Sequence, residues 1–183
     1  MTRGFVTSLV VALLLAAGPA RAGEAERACI AGPVAADLAA KVAFQDGMRD
    51  LMAAARPDLA DLITLNRDLQ VALVEARAVR LTWLALEDPD RLRPLSADGT
   101  PWRGFAWDEA DEAALRAADP RYLTLGTRAE ALATRSDGHP DWPALRDYMR
   151  SSLRNDPGFR DLMRDLVKPV QDMDDAMRAC LME

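Results

Sequence analysis

The chain has 183 residues, half of them hydrophobic, with 23 Lys+Arg against 29 Asp+Glu and a formal charge of −6. That acidity repels phosphate backbones and anionic membrane surfaces and excludes nucleic acid as a partner. A single histidine and two cysteines leave little material for a metal centre or an imidazole-based active site.

Residues 1–22 read as a leader. Met1 and Arg3 give a positive start, an uncharged apolar run covers 5–17, and Ala20-Arg21-Ala22 puts small residues at the −3 and −1 positions of a cleavage site. The run is short for a bilayer, and no later stretch reads as long and apolar enough to cross one. The sequence therefore predicts a Sec-type signal peptide cut after Ala22 and a single domain over 23–183, with no stable membrane insertion. Losing Arg3 and Arg21 leaves 21 basic against 29 acidic residues, a net of −8. Lys41 and Lys168 are the only lysines in an Arg- and Ala-rich chain. That usage suits GC-rich bacterial coding and makes a periplasm the expected location. In such an oxidising compartment Cys29 and Cys180 read as one intramolecular disulfide.

In chain order, residues 23–30 read as a short charged helical turn carrying Cys29, ended by Gly32-Pro33. A helix follows over about 33–55, with Val34, Leu38, Val42, Met48 and Met52 on one face. Gly47 weakens it by about 1 kcal/mol relative to Ala. Arg56-Pro57 then makes a tight link to the chain's longest uninterrupted segment, which predicts an antiparallel hairpin. Between Pro57 and Pro89 there is no Gly and no Pro. Leu62, Leu65, Leu69, Ala72, Ala76, Val79, Trp83 and Leu86 alternate at spacings of three and four, the seam of a long helix. Ile63, Val71, Leu81 and Leu84 lie off that seam, and the polar line is narrow: Asp61, Asp68, Glu75 and Thr82. A helix apolar on most sides belongs in the middle of a bundle. The expected state is a monomer, with a homodimer through the seam as the alternative.

Residues 89–107 read as an ordered loop rather than a linker, because Leu92, Leu95, Trp102, Phe105 and Trp107 lie in it. The bland reading is a plug over the bundle end. The sharper one makes Trp102, Phe105 and Trp107 a candidate binding surface, since long ordered loops are often functional. Beyond it, acids at Asp108, Glu109, Asp111 and Glu112 start a short helix at the electrostatically favoured end. Asp119-Pro120 starts another, to about Arg135, which Gly126 is expected to bend or break. Asp141 is positioned to cap a third. A last helix begins at Asn155-Asp156-Pro157, is expected to be kinked or split at Pro169, and continues through Met173, Met177, Cys180 and Leu181. No strand-type alternation is present. The predicted fold is all-α: a disulfide-stapled helical bundle with one long central helix over about 57–88.

The chemistry is sparse. His139 sits in a Gly-His-Pro turn, and no nucleophile motif, phosphate loop or His-Glu-x-x-His occurs. Carboxylates fall at helix starts or on polar faces, so an envelope enzyme using paired carboxylates is an alternative reading only. Met48/Met52 and Met173/Met177 are i,i+4 thioether pairs suited to Cu(I), but methionine also fills irregular core gaps. No catalytic residue, cofactor or metal ligand is assigned. The expected function is non-enzymatic binding of a protein partner or an apolar small ligand.

Overall fold

Six α-helices and three 3-10 turns, among the described residues, make an all-α bundle around the long segment that follows Pro57. The structure is a computed structural model. It describes residues 19–92, 105 and 107–182, with side chains from 24 to 181. Helix α1 is Pro19–Ala55, and the 3-10 turn Pro57–Leu59 leads into α2, Ala60–Glu87. A second 3-10 turn, Pro89–Arg91, follows. Then come α3 (Glu109–Ala118), α4 (Pro120–Asp137), α5 (Trp142–Ser151), a third turn at Leu153–Asn155, and α6 (Pro157–Met182).

Helix α2 occupies the middle because it is apolar on several sides. Leu62, Leu65, Ala72 and Ala76 of the seam are buried, and so are Ile63, Val71, Leu81, Leu84 and Ala85 away from it. Pro57 opens the preceding turn, where its missing N–H costs nothing. The helix stops at Asp88, whose N–H donates to the Leu84 carbonyl at 2.8 Å, just before Pro89. Its seam is covered in part from within the chain. Helix α1 runs antiparallel to it: Asp46 meets Arg67 at 2.8 Å, while Ile30 and Val34 pack beside Leu81 and Leu84. Helix α4 runs antiparallel along another side, with Tyr122 at Arg80 and Leu132 in the cluster of Leu65. Helix α6 returns along α1, with Cys180 bonded to Cys29 and Leu162 lying over Gly47. The order across the bundle is therefore α6, α1, α2, α4.

Two main apolar clusters result. One surrounds the disulfide end, with Ile30, Val34, Leu81, Leu84, Leu92, Met173, Met177 and Leu181. The other fills the hairpin end, with Met52, Leu59, Leu62, Ile63, Leu132, Leu145 and Leu153.

Several expectations need correction. The break at Gly32-Pro33 is absent: α1 is continuous through Pro33. Proline there forfeits the hydrogen bond to the Cys29 carbonyl and crowds that carbonyl, but the preceding Gly32 has no Cβ to clash with the ring. Gly126 likewise lies inside an unbroken α4. Asp141 precedes α5 without a side-chain cap; its N–H instead donates to His139 Nδ1 at 3.2 Å. By length and composition, Glu24–Ala55 is apolar enough to cross a membrane, contrary to the sequence reading. Its hydropathy comes from many alanines and few charges, and over 28–45 the two charges, Asp37 and Lys41, pair at 2.6 Å. Residues 1–18 of the expected leader lie outside the described residues, as do 93–104 and 106 of the expected aromatic loop.

Candidate functional site: an apolar groove over the central helix

Because α1 and α4 pack on different sides of α2, a groove of about 720 Å³ is left between them. Ala31, Val34, Ala35 and Leu38 of α1 form one bank. Glu75, Ala78, Val79 and Thr82 of α2 form the floor, and Arg121, Thr124, Leu125 and Arg128 of α4 the other bank. Alanines keep the α1 bank and the floor low, so the hollow is not filled from within. A second hollow of about 500 Å³ shares Val79, Thr82 and Arg121 with the first and runs past Trp83 and Leu86 to Leu115, and it is also lined by the charged Arg27, Glu87 and Asp119. From Glu75 to Leu86 the floor is about 16 Å long at helical rise.

The first hollow offers few free polar groups. The Thr82 hydroxyl donates to the Ala78 carbonyl at 2.6 Å and that of Thr124 to the Pro120 carbonyl at 3.0 Å. Both hydroxyl protons are therefore spent on their own helices. Charge sits at the rim. Arg121 is highly exposed and reaches Asp119 at 3.4 Å, and Arg128 faces Glu75 at 3.7 Å.

Beside the second hollow lies an aromatic cluster. Trp83 meets Trp107 edge-on at 5.7 Å between ring centres, and Phe105 meets Trp107 at 6.1 Å. Arg77 lies over Phe105 at 5.2 Å, and Arg80 over Trp107 and Tyr122 at 5.1 and 5.5 Å. Glu112 ties this cluster to α3 and α4. Its carboxylate accepts from Tyr122 Oη at 2.6 Å, Trp107 Nε1 at 2.9 Å, Arg80 at 3.1 Å and Arg116 at 2.7 Å. Burial pushes the Glu112 carboxyl up, but the hydrogen bonds from Tyr122, Arg116 and Trp107 and the charge of Arg80 outweigh it, holding it at about 2. Burial, reinforced by the Glu112 acceptor, pushes the Tyr122 phenol up to about 12. This is an ion and hydrogen-bond network fixed in one protonation state, suited to holding elements together rather than to moving protons.

Of the aromatic residues expected to form a surface, Phe105 and Trp107 are brought together, half-buried against the bundle, and Trp102 lies outside the described residues. The ends of that segment are drawn together by Arg91, which forks onto Asp111 with both contacts at 2.8 Å. The methionine pairs are not brought together: Met48 and Met52 belong to the hairpin-end cluster, Met173 and Met177 to the disulfide-end cluster. Among the described residues no three of His, Cys, Asp and Glu converge as a metal site. The sequence reading missed the groove. Its one visible signal was the α4 stripe Arg121, Thr124, Leu125, Arg128 at i, i+3, i+4 and i+7.

No protein-family model, curated protein or solved structure matches this chain. Its function therefore has to be argued from its own geometry.

Proposed function

We propose that this is an exported, periplasmic binding domain that takes an apolar small ligand in the groove between α1, α2 and α4, and that it acts by binding rather than by catalysis. The observation that carries the reading is the groove itself: about 720 Å³, apolar along its floor and α1 bank, with its interior hydroxyls already satisfied. The groove is broadly open to solvent, but its volume falls in the usual range for small-molecule sites, where apolar walls supply affinity and a few rim groups supply orientation. Support for export comes from the leader-like residues 1–22 and from the Cys29–Cys180 bond, which belongs in an oxidising compartment. Phe105 and Trp107 enter as packing that closes the end of the bundle next to the second hollow.

The test is titration of the oxidised protein with Nile red, a neutral dye that brightens in apolar surroundings. The wild type is expected to light the dye. A variant with Ala31→Trp and Ala35→Trp, both exposed on the α1 bank, is expected to fill the groove and lose the signal while keeping its helical circular dichroism. A dark wild type, or equal brightness in the filled variant, contradicts the reading. For export, mass spectrometry of the processed protein is expected to give a chain beginning at Gly23.

A further inference from the structure

We infer that the Cys29–Cys180 bond is a redox latch on the first part of α1: a dithiol reductant opens it, α1 unwinds locally as far as Pro33, and the groove loses that end of its α1 bank. The inference rests on the groove reading and names a regulation of that site.

The two helices joined by the bond are held unequally. From Glu24 to Gly32 the one buried residue is Ile30. On the α6 side Met173, Met177 and Leu181 are all buried in the same cluster. Without the bond, α6 keeps three buried anchors and the start of α1 keeps one. A helix end with so few buried contacts opens at a lower free energy than the core does.

Pro33 sets where the loosening stops. It has no N–H to give to the Cys29 carbonyl, so the turn that carries the bond is already one hydrogen bond short. Beyond it the helix is held again: Val34 and Asp37 are buried, and Asp37 pairs with Lys41 at 2.6 Å.

The bond is also reachable. Cys29 is exposed and Cys180 half-buried. A thiolate of the reductant attacks at Cys29 and forms a mixed disulfide, while Cys180 leaves as a thiolate and takes up a proton. The second thiol of the reductant then displaces Cys29. The reductant departs as a disulfide, and the protein gains two thiols and two electrons.

The link to the groove is Ala31, which lies in the latched segment and lines the first hollow; Arg27, in the same segment, lines the second. Val34, Ala35 and Leu38 stay on the bank beyond Pro33. Reduction therefore shortens the site rather than abolishing it.

Hydrogen exchange read by mass spectrometry tests the proposal, on the oxidised protein and on protein treated with dithiothreitol without denaturant. Amides of residues 25–32 are expected to exchange about tenfold or more faster after reduction, with those of α2 and α4 unchanged. Nile red is expected to bind the reduced form about threefold or more weakly than the oxidised form. A bond that dithiothreitol leaves intact, unchanged exchange over 25–32, or faster exchange throughout the bundle overturns the latch. Faster exchange over 25–32 with undiminished dye affinity overturns its link to the groove. If the oxidised protein binds no dye, the groove reading fails, and the exchange measurement still decides the latch.

Discussion

Glu112 carries more of the internal polar structure than any other described side chain, since α2, α3, α4 and Trp107 all send donors to its two oxygens. Glu112→Gln keeps the size but loses the charge and misplaces a donor against Arg116 or Arg80. Urea unfolding is expected to show a loss of about 1–3 kcal/mol. The folded carboxyl titrates near 2, below its ordinary 4.5, so its contribution is complete above pH 4.5 and disappears as pH falls through 2. Wild-type stability should therefore decline across that window, and the decline should flatten in Glu112→Gln. Gly47 makes a second residue-scale case. From sequence it reads as a weak point in a helix, yet a Cβ there would meet Leu162 Cδ2 at 2.5 Å, so the glycine admits α6. Gly47→Ala should therefore gain nothing in the wild type. In a Leu162→Ala background it should stabilise by about 1 kcal/mol, the ordinary helix preference for alanine; a double-mutant cycle by urea unfolding reads both values.

At the scale of elements, the central position of α2 was legible because burial on several sides leaves a mark in one stretch of sequence. Ile63, Val71, Leu81 and Leu84 fall off the heptad seam and are buried all the same. The start of α3 was legible too: Asp108 and Asp111 form a reciprocal capping box, at 2.9 and 3.2 Å. The continuity of α1 was not. Pro33 argues locally for a break, and what overrides it is tertiary: Ile30 and Val34 on either side pack into one cluster, and Cys29 is bonded to α6. The groove was illegible for a related reason. Leu125 has the spacing of a core residue, and only the separation of α1 from α4 across α2 leaves it lining a hollow. A test at this scale is Leu84→Ala, which removes a fully buried side chain shared by α1, α2 and α6; an expected loss of about 2–5 kcal/mol is measurable by urea unfolding.

For the molecule as a whole, the disulfide joins α1 to α6 across a sequence separation of 151 residues, with Cα atoms 5.7 Å apart. Paired replacement of Cys29 and Cys180 by serine is expected to cost about 2–5 kcal/mol in chemical unfolding. The groove lies on the α2–α4 side, away from the α1–α6 seam that the bond closes. The bond stiffens one wall of the site through α1 without entering it. The aromatic cluster of Trp83, Phe105 and Trp107 stands at the far end of the groove, so occupancy there should perturb tryptophan fluorescence. The central claim is that the apolar groove over α2 is where this protein binds. Methyl NMR of the oxidised protein during titration with Nile red tests it most directly. The expected result is shifts at Val34, Leu38, Val79 and Leu125, with the exposed methyls of Met163 and Val167 on α6 unmoved. Shifts confined to Met163 and Val167, or no shifts at all, would contradict it.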